Sequence, residues 1–317
     1  MSRSATAILV SDLHLSDTTP ISRVDNYIEA QAKKLAFLQT LSQKNQNCPI
    51  LCAGDVFHRW RASPWLCAWT YTNLPQPMIT IPGNHDLPMH SMVQYDRSAL
   101  ALLETVCTAS RLRVLKNEEI VIPDLSTQEN ISIMGIVPED TQNIFSSSHL
   151  GVRYRILLLH TLVWEVGKPT WGEGTTAQDI LDKYGEQFDL IVTGDNHESF
   201  VVQSENEHTW LVNPGSMMRI TADQAEDQPR CFLYYASRNQ IVSVDFPIEK
   251  DVHNRTHLDA IQERDSRIEA YIEHMKENWD VSVNFEENLR SFFAGNHVPR
   301  NLQTLIWKHM EKEMEDE

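Results

Sequence analysis

Five short polar groups in this chain carry side chains suited to holding cations. In order they are Asp12-Leu13-His14, Gly54-Asp55, Gly83-Asn84-His85-Asp86, His160 and Gly194-Asp195-Asn196-His197. They supply carboxylates from Asp12, Asp55 and Asp195, imidazoles from His14, His160 and His197, and the amide oxygen of Asn84. This mixed set exceeds what one tetrahedral ion takes. It suits two divalent ions roughly 3.5–4 Å apart sharing a carboxylate. No thiolate accompanies the set, which argues against structural zinc, and its imidazoles favour manganese or iron over magnesium. Such a pair of ions neutralises a phosphodiester and activates a water against it. Each group alone has a plainer reading: a capped turn for Asp12-x-His14, loop polarity for Asn84-His85-Asp86, a core histidine for His160. Their recurrence after successive apolar runs is what points to a single site.

Those runs are the elements that must position the ligands. Ala7–Val10, Pro49–Ala53, Pro77–Ile81, Arg155–Leu159 and Leu190–Thr193 read as buried strands, each ending at one polar group. Ligands of open α/β sheets collect beyond the carboxyl ends of strands, so separate strands converge on one point. Ile28, Leu35, Leu38 and Leu41 predict a helix over 28–41, Ser63-Pro64 starts a second, and a third is predicted over 92–106. Further strands are predicted at 131–136, 200–203, 210–212, 231–235 and 241–245. The early half thus reads as β-α-β units and the later half as meanders. Beyond about Lys250 the pattern turns helical, with Leu258, Ile261, Ile268 and Ile272 on one stripe and further helices over 285–293 and 302–310. The expected division is a main domain over 1–248 and a helical segment over 249–317.

Composition narrows the class. The chain has 317 residues, 41% of them hydrophobic and 22% charged, enough for a sizeable core and unlike a disordered chain. Its apolar runs fall far short of the ~20 residues of a membrane span, and no basic-then-apolar leader begins it, so a cytoplasmic protein with no membrane partner is expected. The five cysteines form no Cys-x-x-Cys pair and are expected as free thiols. With a net charge of −17, the chain cannot hold DNA by broad electrostatics, so any such contact must be local, metal-mediated or supplied by a partner. Local candidates lie in loops after the ligand groups: Arg59, Trp60 and Arg61; Trp164, Lys168 and Trp171; and Arg219.

The five groups together resemble the calcineurin-like metallophosphoesterases over residues 5 to 245, and within them the SbcD-type DNA-repair nucleases. The narrower likeness rests on Gly54-Asp55-Val56-Phe57-His58, where phosphoprotein phosphatases have an acidic residue and then Arg-Gly, and on Asn213-Pro214-Gly215-Ser216 followed by Met217-Met218-Arg219. The resemblance implies a mixed α/β fold, a four-layer αββα sandwich with a small helical C-terminal segment serving as a reduced cap or partner-binding region. It implies that Asp12, His14, Asp55 and His197 hold one ion and Asp55, Asn84, His160 and Asp195 the other. His85 would assist the leaving oxygen, Asp86 would orient His85, and His58 would contact the scissile phosphate. The pattern departs at Asp195, where these nucleases usually carry histidine, which adds a carboxylate and puts the metal preference in question.

The implied activity is a metal-dependent exonuclease or single-strand endonuclease for DNA repair, recombination or replication. The implied partners are DNA, an SbcC-type coiled-coil ATPase gripped by the C-terminal segment, and a second copy joined through the helix starting near Met92, where Leu100, Leu103 and Val106 serve the dimer or cover the sheet. Two other readings stand beside this one: a phosphoesterase for nucleotides or other small phosphodiesters, and an inert scaffold used for binding.

Overall fold

The computed structural model describes residues 4–125, 128–138, 151–167, 174–254, 285–296 and 298–315. The chain forms two compact units, Met1–Asn254 and Arg255–Glu317. The stripe Leu258, Ile261, Ile268 and Ile272 lies outside the described residues.

The first unit is built on two six-stranded sheets. In chain order its elements are β1 (Ala7–Val10), α1 (Tyr27–Lys44), β2 (Ile50–Cys52), α2 (Pro64–Asn73), β3 (Met78–Thr80), α3 (Ala99–Val106), β4 (Leu112–Val114), β5 (Glu118–Pro123), β6 (Asn130–Ile136) and β7 (Val152–His160). There follow β8 (Val163–Trp164), β9 (Thr175–Thr176), α4 (Ala177–Tyr184), β10 (Leu190–Gly194), β11 (Phe200–Gln203), β12 (Trp210–Asn213), β13 (Arg230–Tyr235) and β14 (Gln240–Asp245). The first sheet runs β14-β13-β1-β2-β3-β4 and the second β11-β12-β10-β7-β6-β5; β8 and β9 form a small separate pair.

Both large sheets have parallel centres. Strands β1 to β4 are mutually parallel, as are β6, β7, β10 and β12, with antiparallel strands at or near the edges. The expectation of meanders in the later half therefore holds only for the hairpins β5–β6, β11–β12 and β13–β14. The crossover helix α4, held at its start by Thr176 and Asp179 in a reciprocal cap, makes β7 and β10 parallel. Strands buried on both faces are apolar throughout, and lack the alternation that distinguishes a meander.

Alternate residues of these strands face different layers. Ala7 and Leu9 of β1 meet Ile156 and Leu158 of β7 in a core between the sheets. Ile8 and Val10 point outward to Leu35 and Leu38 of α1 and Leu100 and Leu103 of α3. Leu157 and Leu159 point outward to Ile180 and Leu181 of α4. The order is helices, sheet, sheet, helix: a four-layer αββα sandwich.

Local chemistry fixes the helix starts. Ser63 accepts the Leu66 N–H at 3.1 Å and Pro64 occupies the first turn of α2. The helix predicted over 92–106 is divided. Met92–Arg97 is a 3-10 segment, and Ser98, with extended φ −86° and ψ 158°, breaks it and caps α3 through the Ala101 N–H. All five cysteines are free. Among the described residues no helix is long and apolar enough to cross a membrane.

The second unit contributes α5 (Phe285–Gly295) and α6 (Arg300–Glu315). Phe293 packs edge-on to Trp307 at 6.1 Å between ring centroids, and the Arg290 guanidinium lies over the same Trp307 ring.

Leu158 is fully buried at the centre of the inter-sheet core. Leu158→Ala is expected to cost about 2–5 kcal/mol of stability, read from the midpoint shift of chemical denaturation at unchanged slope.

Candidate metal centre

Asp12 and His14 follow β1, Asp55 follows β2, Asn84–Asp86 follow β3, His160 closes β7, and Asp195 and His197 follow β10. The first two of these loops are zipped together by backbone hydrogen bonds. Asp12 N–H donates to the Gly54 carbonyl at 3.1 Å, His14 N–H to Asp55 at 3.0 Å and Leu15 N–H to Val56 at 2.9 Å. Met217 N–H donates to the Asp12 carbonyl at 3.1 Å, which ties in the turn after β12. Four ligand candidates adopt left-handed backbone: Asp12 (φ 49°), His14 (φ 44°), Asp55 (φ 55°) and Asp195 (φ 80°). That conformation costs a non-glycine residue energy and persists only where surrounding bonds impose it. Gly54, at φ 97°, leaves no alternative, since a Cβ there would stand 2.5 Å from His160 Nδ1. A Cβ on Gly83 would strike the Asp55 carboxylate.

The structure brings all seven candidate ligands together. His14 Nε2 lies 3.0 Å from His197 Nε2, 3.7 Å from Asp12 Oδ1 and 3.7 Å from Asp55 Oδ2. His160 Nε2 lies 3.5 Å from Asp55 Oδ1, 3.9 Å from Asp195 Oδ1 and 3.4 Å from Asn84 Oδ1. Asp55 therefore turns one carboxylate oxygen to each half of the cluster. His160 Nδ1 donates to the Ala53 carbonyl at 2.7 Å, so its Nε2 presents a lone pair inward. The Asn84 amide nitrogen donates to Asp195 Oδ1 at 3.1 Å.

The electrostatics of this cluster call for cations. Burial raises the Asp12 carboxyl to about 7, and raises Asp55 well above the carboxylate range with Asp86 as the next cause. Burial, then the neighbouring His197, holds His14 well below the usual imidazole range, and burial lowers His197 as well. Neutral imidazoles and crowded carboxylates are the forms that bind metal. Asp12, His14 and His197 offer atoms within 4.8 Å of one another, and so do Asp12, Asp55 and His160. This donor set fits two divalent ions.

His85 and His58 border the cluster. The His85 N–H donates to Asp55 Oδ1 at 2.9 Å, and its ring Nδ1 donates to the His58 carbonyl at 2.7 Å. The His58 ring lies 5.4 Å from His14 and 5.6 Å from His85, centroid to centroid. Its Nδ1 is buried and has no hydrogen-bond partner among the described residues. Burial and the neighbouring His85 hold His58 below the usual imidazole range.

Two expectations are corrected. Asp86 does not orient the His85 ring, because the His58 carbonyl does. The buried Asp86 carboxylate instead accepts three backbone N–H groups, from Gly83 (3.1 Å), Val56 (3.1 Å) and Phe57 (2.9 Å), and so clamps the loops after β2 and β3 together. Arg219, expected at the DNA surface, is buried, with its guanidinium donating to the Ala225 and Glu249 carbonyls. Arg59 and Arg61 are exposed beside His58, the latter 5.9 Å over the half-buried Trp60 ring. Lys168 and Trp171 lie outside the described residues.

Several positioning groups escaped the sequence. The Ala53 and His58 carbonyls fix two imidazoles, and no side-chain pattern marks a backbone oxygen. Asn196 donates to the Val163 carbonyl at 2.8 Å, and Asn213 donates to the carbonyls of Asn196 (2.7 Å) and Glu198 (2.6 Å), holding the Asp195–His197 loop. Asn196 was marked only by its place inside a ligand group and Asn213 only by the turn that follows it; the positioning role of neither was read.

A family model described as calcineurin-like phosphoesterase matches residues 5–199. The chain belongs to that family. Its members use a dinuclear metal site and hydrolyse phosphoester bonds, and this chain is a metal-dependent phosphoester hydrolase. No curated protein sequence matches it. Similar solved structures include one described as a novel archaeal phosphodiesterase, with 11% identity and a TM-score of 0.39, covering 75% of this chain and 98% of that one. Another is the calcineurin-like phosphoesterase YfkN from Bacillus subtilis, with 11% identity and a TM-score of 0.42, covering 78% of this chain and 86% of that one.

Because Asp12 must release a proton held near 7 before it can bind a cation, metal affinity is expected to rise with pH between 6 and 8, by up to about tenfold per unit for each proton released. Titration calorimetry in buffers of different ionisation heat measures that proton release. Asp86→Asn faces an amide NH₂ toward backbone N–H donors; it is expected to lower both the melting temperature and the metal affinity, measured by calorimetry.

Proposed function

We propose that the chain is a DNA nuclease, cutting phosphodiester bonds as an exonuclease or single-strand endonuclease within an SbcCD-like complex. The observation that carries this reading is His58. It places an imidazole against both His14 and His85, which themselves meet at 4.8 Å between centroids, at the edge of the ligand cluster, and the same loop continues into exposed Arg59 and Arg61 around Trp60. A phosphate seated at the cluster would thus have cations and an aromatic surface beside it, the combination that grips a nucleic-acid strand.

The residues divide the work. Asp12, His14, Asp55 and His197 hold one divalent cation, and Asp55, Asn84, His160 and Asp195 the other, with Asp55 shared. When bound, the ions, manganese in this proposal and iron or magnesium as substitutes, supply charge neutralisation and a nucleophilic water at neutral pH. The His58 carbonyl takes the Nδ1–H of His85 and so turns His85 Nε2 toward the leaving oxygen; in its doubly protonated imidazolium form His85 gives that oxygen the Nε2 proton and returns to the neutral Nδ1–H tautomer. His58, neutral in its buried setting, contacts the scissile phosphate. Asp86 keeps both histidine-bearing loops in register. Asp195, in place of the histidine of the nucleases, tunes the choice of metal.

Two surfaces support the proposed partners. On α2 and α3, Trp65, Tyr71, Leu102 and Val106 are exposed, and this face joins two copies of the chain. Leu100 and Leu103 are buried against the sheet and serve the core instead. On α6 of the second unit, Leu302 and Leu305 are exposed at helical spacing, which suits docking of the coiled-coil ATPase.

The test is a manganese-dependent assay on 3′- and 5′-labelled single- and double-stranded DNA, alongside bis(para-nitrophenyl) phosphate and nucleotides. Cleavage of DNA is the expected result. Hydrolysis of the small esters alone would replace the nuclease with a small-molecule phosphodiesterase, and no hydrolysis with metal bound would leave a scaffold. His85→Ala is expected to keep metal binding and lose about 10²-fold or more in turnover. Replacing Arg59 and Arg61 together by Gln is expected to weaken DNA binding and flatten its salt dependence while leaving hydrolysis of bis(para-nitrophenyl) phosphate intact.

A further inference from the structure

The far end of β7 carries a second polar cavity. A groove of about 560 Å³ is lined by the opening residues of β7, the approach to β10 and the β13–β14 turn. Arg155 in its wall stands five positions along β7 from His160 in the metal centre, about 16 Å of extended chain. The groove is therefore a separate site.

Its charge runs against that of the molecule. On a chain of net charge −17, Arg153, Arg155 and Arg238 all line it, together with His208. The Asp189 carboxylate in the same wall is already engaged, accepting the Arg155 backbone N–H at 2.7 Å and lying 3.4 Å from His208 Nε2. Arg153 pairs loosely with Glu129 at 3.7 Å and lies 5.6 Å over the Tyr154 ring. Arg238 stacks on Tyr235 at 4.4 Å. Among the described residues, neither Arg155 nor Arg238 has a carboxylate partner for its guanidinium. Two carboxylates line the groove with them: Asp189, held by the contacts just given, and Glu186, exposed at the rim.

We propose that this groove binds a phosphate-bearing small molecule of nucleotide size, with Arg155 and Arg238 on the phosphate. Guanidinium forks match phosphate oxygens in pairs, and two of them here have no carboxylate partner among the described residues. The volume is that of a small-ligand site, and Tyr154 with Arg153 over it provides a flat, polarisable wall for a ring system.

The experiment is calorimetry on the full chain in excess chelator, which keeps phosphate from collecting at the metal centre, with ADP and pyrophosphate as probes. Saturable binding of at least one probe is expected. Arg155→Gln and Arg238→Gln should each weaken it about tenfold. Glu186→Gln should tighten it several-fold, a change that a purely structural role for these residues would not produce. All three variants should hydrolyse bis(para-nitrophenyl) phosphate with manganese at the unaltered rate, which also reports correct folding. Tighter binding of ADP than of pyrophosphate assigns part of the groove to the nucleoside; equal binding assigns it to phosphate alone. Failure of both probes to saturate, or binding indifferent to both arginines, overturns the proposal whatever the outcome for DNA cleavage.

Discussion

Carboxylates cannot be buried side by side without something to balance them. Asp12 and Asp55 are almost fully enclosed, and Asp195 stands beside them. The fold has built a strong electrostatic demand into its centre, and much of the surrounding structure serves to keep that demand focused. Strained backbone at four ligands, glycines packed against His160 and Asp55, and the Asp86 clamp all oppose the same relaxation: loops spreading apart to let water reach the charges. Cations relieve the demand where loop movement is prevented.

Convergence follows from topology. Parallel strands deliver their carboxyl ends to one edge, and this chain stacks two mixed sheets with parallel centres face to face. Asp12, Asp55 and Asn84 come from the first sheet, His160, Asp195 and His197 from the second. The centre lies at the seam between them, and Asp55, with one oxygen toward each histidine set, is its midpoint. The inter-sheet core, with Leu9 and Leu158 at its middle, sets the spacing across that seam.

Much of this was legible in the residues. Apolar runs ending in ligand-type side chains marked the strands, and the ligand groups came together. The strands that go unmarked are short or edge-like, such as β4 and β5, where few residues are available to set a period. The parallel pairing of the later strands was hidden because α4 is brief and strongly polar on one side, and resembles a loop more than a crossover. The misplaced roles share one cause. Asp86 and Arg219 carry charges that suggest chemistry, yet both spend them on backbone groups, and that choice depends on which amides and carbonyls the fold brings near. Spacing along the chain does not contain it.

The pairing of β1 has a consequence for how the molecule comes into being. Ala7 and Leu9 lie between β2 on one side and β13 on the other, with Ala7 opposite Tyr234. A chain emerging from the ribosome cannot complete its first sheet until almost the whole first unit has been synthesised. The ligand groups fall into two sets along the chain: Asp12, His14, Asp55 and Asn84 lie after neighbouring strands of the first sheet, and His160, Asp195 and His197 follow on the second. Half of the centre is thus present in the chain long before the other half, and a complete pocket for ions waits on the later strands.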